Sequence, residues 1–133
     1  MARSLMNSTP PSAQTMTERQ PHASRQAAAA GPPLPVSVCM LVLNEADRLP
    51  RTLPPLKAFA EVVVYDSGST DLSLRLCEEF GARIIRGPWQ GFSQTRRDLF
   101  AQARQPWVLW LDADEVVTAE LIASMRRELP GEP

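Results

Sequence analysis

Long apolar runs are missing from this 133-residue sequence. The longest, such as residues 36–43, fall well short of the roughly 20 residues that a membrane-spanning helix needs, and the start of the chain has no apolar core of the signal-peptide kind. A cytoplasmic location is the expectation. An excess of charge of either sign is missing too. The 14 basic residues stand against 15 acidic ones, a formal net charge of −1, so no long-range field gathers nucleic acid or an anionic bilayer. Cysteine is scarce. Cys39 lies in an apolar run and Cys77 on a helix-like segment, a spacing that suits neither a zinc site nor a redox pair, so both are expected as buried, reduced thiols. The only histidine, His22, stands in the N-terminal tail, which removes Ser-His-Asp hydrolase chemistry.

What is present, 44% hydrophobic and 22% charged residues, fits one globular domain. Residues 1–34 are rich in Pro, Ser, Thr, Gln and Ala without apolar periodicity and read as a disordered tail. The tail carries Arg3, Arg19 and Arg25 against Glu18, or +2, while the remaining 11 basic and 14 acidic residues give −3. An organelle transit peptide is the alternative, but the tail's prolines oppose the amphipathic helix it would need. From residue 35 to 133, apolar runs at 36–43, 61–65, 83–85 and 107–111 alternate with segments of helical period. This is the pattern of β-α units on a parallel sheet. Ser69, Thr70 and Asp71 are expected to cap a helix that turns Leu72, Leu76, Cys77 and Phe80 inward and closes at Gly81. Thr118 is expected to start another, with Leu121, Ile122, Met125 and Leu129 inward. Pro50, Pro54 and Pro55 limit the segment after the first strand to a short helix and an irregular stretch.

Ligands of such sheets bind beyond the C-terminal ends of the strands, which singles out Asn44, the loop 66–71 and the turn 112–115. Asp112, Ala113, Asp114 and Glu115 follow an apolar strand directly. Alternation puts Asp112 and Asp114 on one side of its exit. Two carboxylates there repel unless a hard cation, Mg²⁺ or Mn²⁺, sits between them and a phosphate-bearing ligand. The other reading is an acidic turn that opens the next helix. In the loop 66–71, Gly68 permits a tight turn and Asp66, expected at the rim, can accept hydrogen bonds from a base or ribose, although a capped strand-helix connection explains the other residues. Phe92, Arg96, Leu99, Phe100 and Ala103 share one helical arc. Arg96 in that stripe either reaches a diphosphate or carboxylate or extends to solvent, and Arg97 points away. Trp89 is expected to pack its own loop rather than to serve as a sugar platform.

Three features in order, the strand ending in Leu43, Asn44 and Glu45, the YDSGSTD segment at 65–71, and WVLWLDADE at 107–115, resemble glycosyltransferase family 2. The stretch GARIIRGPWQGFSQTRRD is similar to that of lipopolysaccharide core glucosyltransferases. The likeness covers about residues 36–129. It implies an α/β, Rossmann-like, parallel β-α-β half-domain of the GT-A type that binds a nucleoside diphosphate sugar, UDP-linked by preference. Asn44, Glu45 and Ser67 would then line the donor site and Asp66 would read the base. Asp112-Ala113-Asp114 would be the DxD motif, with Asp114, aided by Asp112, on Mn²⁺ or Mg²⁺, and Asp112 near the ribose or sugar. Arg96 matches a basic position. The implied reaction passes the sugar, with inversion, to a hydroxyl of a glycan or glycolipid such as the lipopolysaccharide core, and a lipid acceptor would place the enzyme at the inner face of a membrane. Two departures stand out. Many members carry an aromatic where this chain has Leu43. The family also places its catalytic base after the DxD region, where only 18 residues follow Glu115, so the base is expected beyond Pro133, the chain reads as truncated, and the strand at 107–111 would lack its later neighbour. The competing readings are a non-catalytic nucleotide-binding fragment and a phosphatase of the haloacid dehalogenase type, with Asp112 as nucleophile and Asp114 as acid.

Overall fold

Strands that are apolar on both faces need cover on both faces, and the arrangement of the helices follows from that need. The computed structural model describes residues 31–129 and, as backbone alone, residues 5–7. In chain order come β1 (Leu5–Asn7), β2 (Leu34–Val42), α1 (Leu49–Thr52), a 3₁₀ turn (Pro54–Ala58), β3 (Phe59–Asp66), α2 (Ser73–Phe80), β4 (Arg83–Arg86), α3 (Phe92–Gln102), β5 (Trp107–Asp112) and α4 (Ala119–Glu128). They form one sheet of order β1-β5-β2-β3-β4, parallel except for β1.

Alternation along the strands splits the core in two. Val36, Val38, Met40 and Val42 of β2 share a face with Val62, Val64, Leu109 and Leu111, and Leu49, Leu56, Cys77 and Met125 pack on them from α1, the 3₁₀ turn, α2 and α4. Cys39, Val63, Tyr65, Val108 and Trp110 share the other face, under Leu99 of α3. Full burial of each aliphatic side chain is worth about 1.5–3 kcal/mol, so the central β2 and its neighbours carry most of the stability. The chain steps from β2 to β3 to β4, then returns past them to place β5 on the other side of β2. The topological switch point therefore lies between the C-terminal ends of β2 and β5, where open α/β sheets hold their ligands.

Several local expectations hold. Gly81 closes α2 with φ 102°, and the Thr118 hydroxyl accepts from the Leu121 N–H at 3.1 Å at the start of α4. Others differ. α2 begins at Ser73, Leu72 is 59% exposed rather than inward, and the helix start has no side-chain cap from Leu72. Asp71 instead accepts from the Ser73 N–H at 2.9 Å. On α3 the buried positions are Thr95 and Leu99, while Phe92 is 63% exposed and Arg96 is exposed. Phe100 and Ala103 pack beside Leu99 as expected, so the stripe keeps its C-terminal part, and at its start Thr95 is buried in place of Phe92 and Arg96. At the edge expected to be bare, Leu5–Asn7 of the presumed tail run antiparallel to β5, with Leu5 opposite Leu109. Residues 1–4 and 8–30 of that tail lie outside the described residues, whereas its last residue, Leu34, is the buried first residue of β2, so the ordered part begins before the expected boundary.

Both cysteines are free and buried. Burial pushes the Cys39 thiol up to about 12 and the Cys77 thiol up to about 11, from an ordinary 9.0. Neither should react with a disulfide reagent until the chain unfolds. An acid whose folded pKa is raised favours the native state below its unfolded pKa, so stability should hold to about pH 9 and fall above it as the unfolded thiols ionise. Urea titrations from pH 7 to 11, with thiol counting at pH 8, check both statements.

Candidate functional site

β5 ends in the turn that carries the acidic residues. The Glu115 N–H donates to the Asp112 carbonyl at 2.9 Å, and the Asp112 N–H donates to Glu115 Oε1 at 3.0 Å. Glu115 thus spends its carboxylate on closing the turn. Asp112 and Asp114 are exposed and line the same cleft, and their carboxylates have no hydrogen-bond or ion-pair partner among the described residues. Between them, Ala113 is buried. No group of three or more His, Cys, Asp or Glu side chains gathers into a metal cage among the described residues. Two unpartnered carboxylates fit a hard divalent ion that takes its other ligands from a diphosphate and water, the usual habit of Mg²⁺.

The loop after β2 and the loop after β3 are tied together. Asn44 adopts φ 54°, a left-handed conformation that asparagine tolerates better than most residues. Its Oδ1 accepts from the Thr70 N–H at 2.8 Å and the Asp71 N–H at 3.3 Å, and its own N–H donates to Ser69 Oγ at 2.9 Å. The Glu45 N–H donates to Ser73 Oγ at 2.8 Å and the Ala46 N–H to Asp71 Oδ2 at 3.1 Å. The hydroxyls read as helix caps therefore serve the neighbouring loop. Replacing Asn44 with Ala should cost about 1–3 kcal/mol from the lost bonds and the unfavourable φ, and Asn44→Gly should recover about 1 kcal/mol of it, because only the φ cost is relieved. Urea denaturation of the two variants measures the difference.

Asp66 is 2% exposed, deeper than the rim position expected for it. Its Oδ2 accepts from the Gly68 and Ser69 N–H groups, both at 3.1 Å, and its buried Oδ1 has no partner among the described residues. An unpartnered buried carboxylate oxygen is costly unless a donor arrives.

The cleft, of about 690 Å³, runs from Leu41, Leu43, Glu45 and Arg48 past Ser67 to Asp112 and Asp114, with Trp89 and Phe92 as its apolar wall. Of the residues singled out in the sequence, Glu45, Ser67, Asp112 and Asp114 meet there. Asn44, Asp66 and Arg96 are not part of the lining. The Arg96 guanidinium lies over the Trp110 ring, 4.9 Å from its centroid, and a cation on an aromatic face accounts for a charge beside an apolar stripe.

Three contributors, Trp89, Gly87 and Thr52, go beyond the sequence reading, which took Trp89 only as a packing residue of its own loop. Trp89 does pack, edge to face on Phe92 with centroids 4.9 Å apart, but it is also 51% exposed on the cleft. The loop that presents it is fixed from below. Tyr65 Oη donates to the Pro88 carbonyl at 2.7 Å, and the Gly87 N–H donates to the Asp66 carbonyl at 3.2 Å. A Cβ on Gly87 would stand 2.5 Å from Tyr65 Oη, so only glycine fits. Thr52 is the third, buried beneath the acidic turn.

Residues 37–132 match the family described as Glycosyl transferase family 2. Among curated proteins, the chain is 38% identical over 96 residues to a TPR repeat-containing protein of Synechococcus elongatus, covering 71% of this chain and 24% of that protein. It is 34% identical over 104 residues to the lipopolysaccharide core biosynthesis glycosyltransferase LpsC of Rhizobium meliloti, covering 74% and 37%. Among solved structures, glucosyl-3-phosphoglycerate synthase of Mycobacterium tuberculosis in complex with Mn²⁺, uridine diphosphate and phosphoglyceric acid is similar with a TM-score of 0.50 and 25% identity, over 71% of this chain and 37% of that one. The chain thus spans about a quarter to two fifths of these relatives' lengths.

Proposed function

The chain belongs to glycosyl transferase family 2, and from that premise we propose that its cleft binds a nucleoside diphosphate sugar, UDP-linked by preference, together with Mn²⁺ or Mg²⁺. It forms the donor half of an enzyme that transfers the sugar to an acceptor hydroxyl. The observation that carries this reading is the pair of unpartnered carboxylates, Asp112 and Asp114, on one cleft at the topological switch point. The structure of the mycobacterial synthase with Mn²⁺ and uridine diphosphate supports the choice of cation and nucleotide. The match to family 2 displaces the phosphatase reading.

Asp114, aided by Asp112, would hold the cation, which supplies Lewis-acid stabilisation of the departing diphosphate. Asp66 offers its buried Oδ1 to a donor on the base, and Asn44 and Glu45 hold the neighbouring loop in place through their bonds to residues 69–73. Trp89 and Phe92 give the ligand an apolar face to lie against. The acceptor is proposed to be a glycan or glycolipid of the cell envelope, the lipopolysaccharide core first, in view of LpsC. No helix among the described residues is long and apolar enough to cross a membrane. A cytoplasmic site of action, at the inner face of a membrane when the acceptor is a lipid, fits the proposal. A thermal-shift panel of UDP, GDP and ADP with and without Mn²⁺ tests it. UDP with Mn²⁺ should give the largest rise in melting temperature, and equal rises for all nucleotides without metal would count against it.

A further inference from the structure

The acidic turn rests on a single hydroxyl from the opposite side of the switch point. Thr52, in α1, is 1% exposed, and its Oγ1 donates to the carbonyl of Ala113 at 2.7 Å, across 61 residues of sequence. A second acceptor, the Arg48 carbonyl, stands at 3.1 Å, and a hydroxyl has one hydrogen to give. The shorter contact assigns it to Ala113. That carbonyl belongs to the residue between Asp112 and Asp114, so the bond fixes the backbone from which both carboxylates project. The turn before α1 carries Glu45 and Arg48 on the cleft, and residues 44–46 are bonded in turn to Ser69, Asp71 and Ser73. One chain of contacts thus joins the loop beside Asp66 to the acidic turn.

We propose that Thr52 is a positioning residue for the cation site, acting through the Ala113 carbonyl, and that it couples the seating of the nucleotide to the binding of the cation. The proposal rests on the reading of Asp112 and Asp114 given above. Thr52→Val keeps the shape and removes the donor, whereas Thr52→Ser keeps the donor. Mn²⁺ affinity is read from the electron paramagnetic resonance of free Mn²⁺ in the presence of UDP, and UDP affinity without metal from calorimetry, on the full chain. Thr52→Val should weaken Mn²⁺ about tenfold and leave metal-free UDP binding within about threefold, as loss of an outer-shell support does, and Thr52→Ser should return Mn²⁺ to within about threefold of wild type. Loss of a merely structural contact would lower both affinities together through the folded fraction. Wild-type Mn²⁺ affinity in Thr52→Val, or equal losses in Thr52→Val and Thr52→Ser, overturns the proposal while leaving the cleft's function intact. Should Thr52→Val fail to fold, Thr52→Ser decides alone: a folded Thr52→Ser that has lost tenfold or more (about 1.4 kcal/mol) in Mn²⁺ affinity shows that the hydroxyl is not the determinant. No Mn²⁺-dependent UDP binding in the wild type removes the cation site itself, and the proposal with it.

Discussion

Replacing Asp114 with Asn should abolish the Mn²⁺-dependent part of UDP binding and leave the metal-free part almost unchanged. Asp114 has no partner among the described residues and shares its cleft with Asp112 alone as a second free carboxylate. A neutral amide in its place leaves the cation and the diphosphate poorly compensated. Because so few protein ligands are present, Asp112 alone should not hold the cation, and the gain in UDP affinity on adding Mn²⁺, at least about tenfold in the unmodified chain, should vanish. The fold should not suffer, since the side chain is exposed and makes no contact that the turn needs. The turn is closed by Glu115. Calorimetry with and without Mn²⁺, together with circular dichroism, reads both quantities, and retained Mn²⁺ dependence would remove the metal assignment.

Asp66→Asn should fail in a different way. The amide oxygen can still accept from Gly68 and Ser69, while the amide nitrogen takes the place of the oxygen that now lacks a partner. In the free protein this replaces a buried charge by a neutral group, so the melting temperature should stay level or rise. In the complex it sets a donor against the donor of the base. UDP affinity should therefore fall by about 1–3 kcal/mol, with the Mn²⁺ dependence kept and the preference for UDP over GDP narrowed. A variant that is more stable and binds less well marks a residue held for function. Unchanged UDP affinity would return Asp66 to the role of a turn residue.

How much of this could be read from the residues depends on the reach of each interaction. The strands and the acidic turn were legible because an apolar run and the carboxylates that follow it are neighbours in sequence. The Gly81 closure and the Thr118 cap likewise involve residues within a single helical turn. Asn44 was visible as a residue at a strand exit. Its bonds to residues 69–71 were not, because its partners lie 25 to 27 residues away. Those same bonds withdrew Ser69 from the capping role that its position before α2 implied. On α3 the C-terminal part of the stripe, Leu99, Phe100 and Ala103, was legible from its period, whereas at its start the buried residue is Thr95 and Phe92 lies over the cleft. Thr52 gave no local sign at all, since its partner is a backbone carbonyl 61 residues away.

The most direct measurement of the cleft's function is calorimetric titration of the unmodified chain with UDP in the presence and absence of Mn²⁺. The expected result is one site per chain whose affinity rises at least about tenfold, or 1.4 kcal/mol, when Mn²⁺ is added. A folded chain that binds no UDP, or binds it equally well without the cation, would contradict a metal-assisted diphosphate site at Asp112 and Asp114.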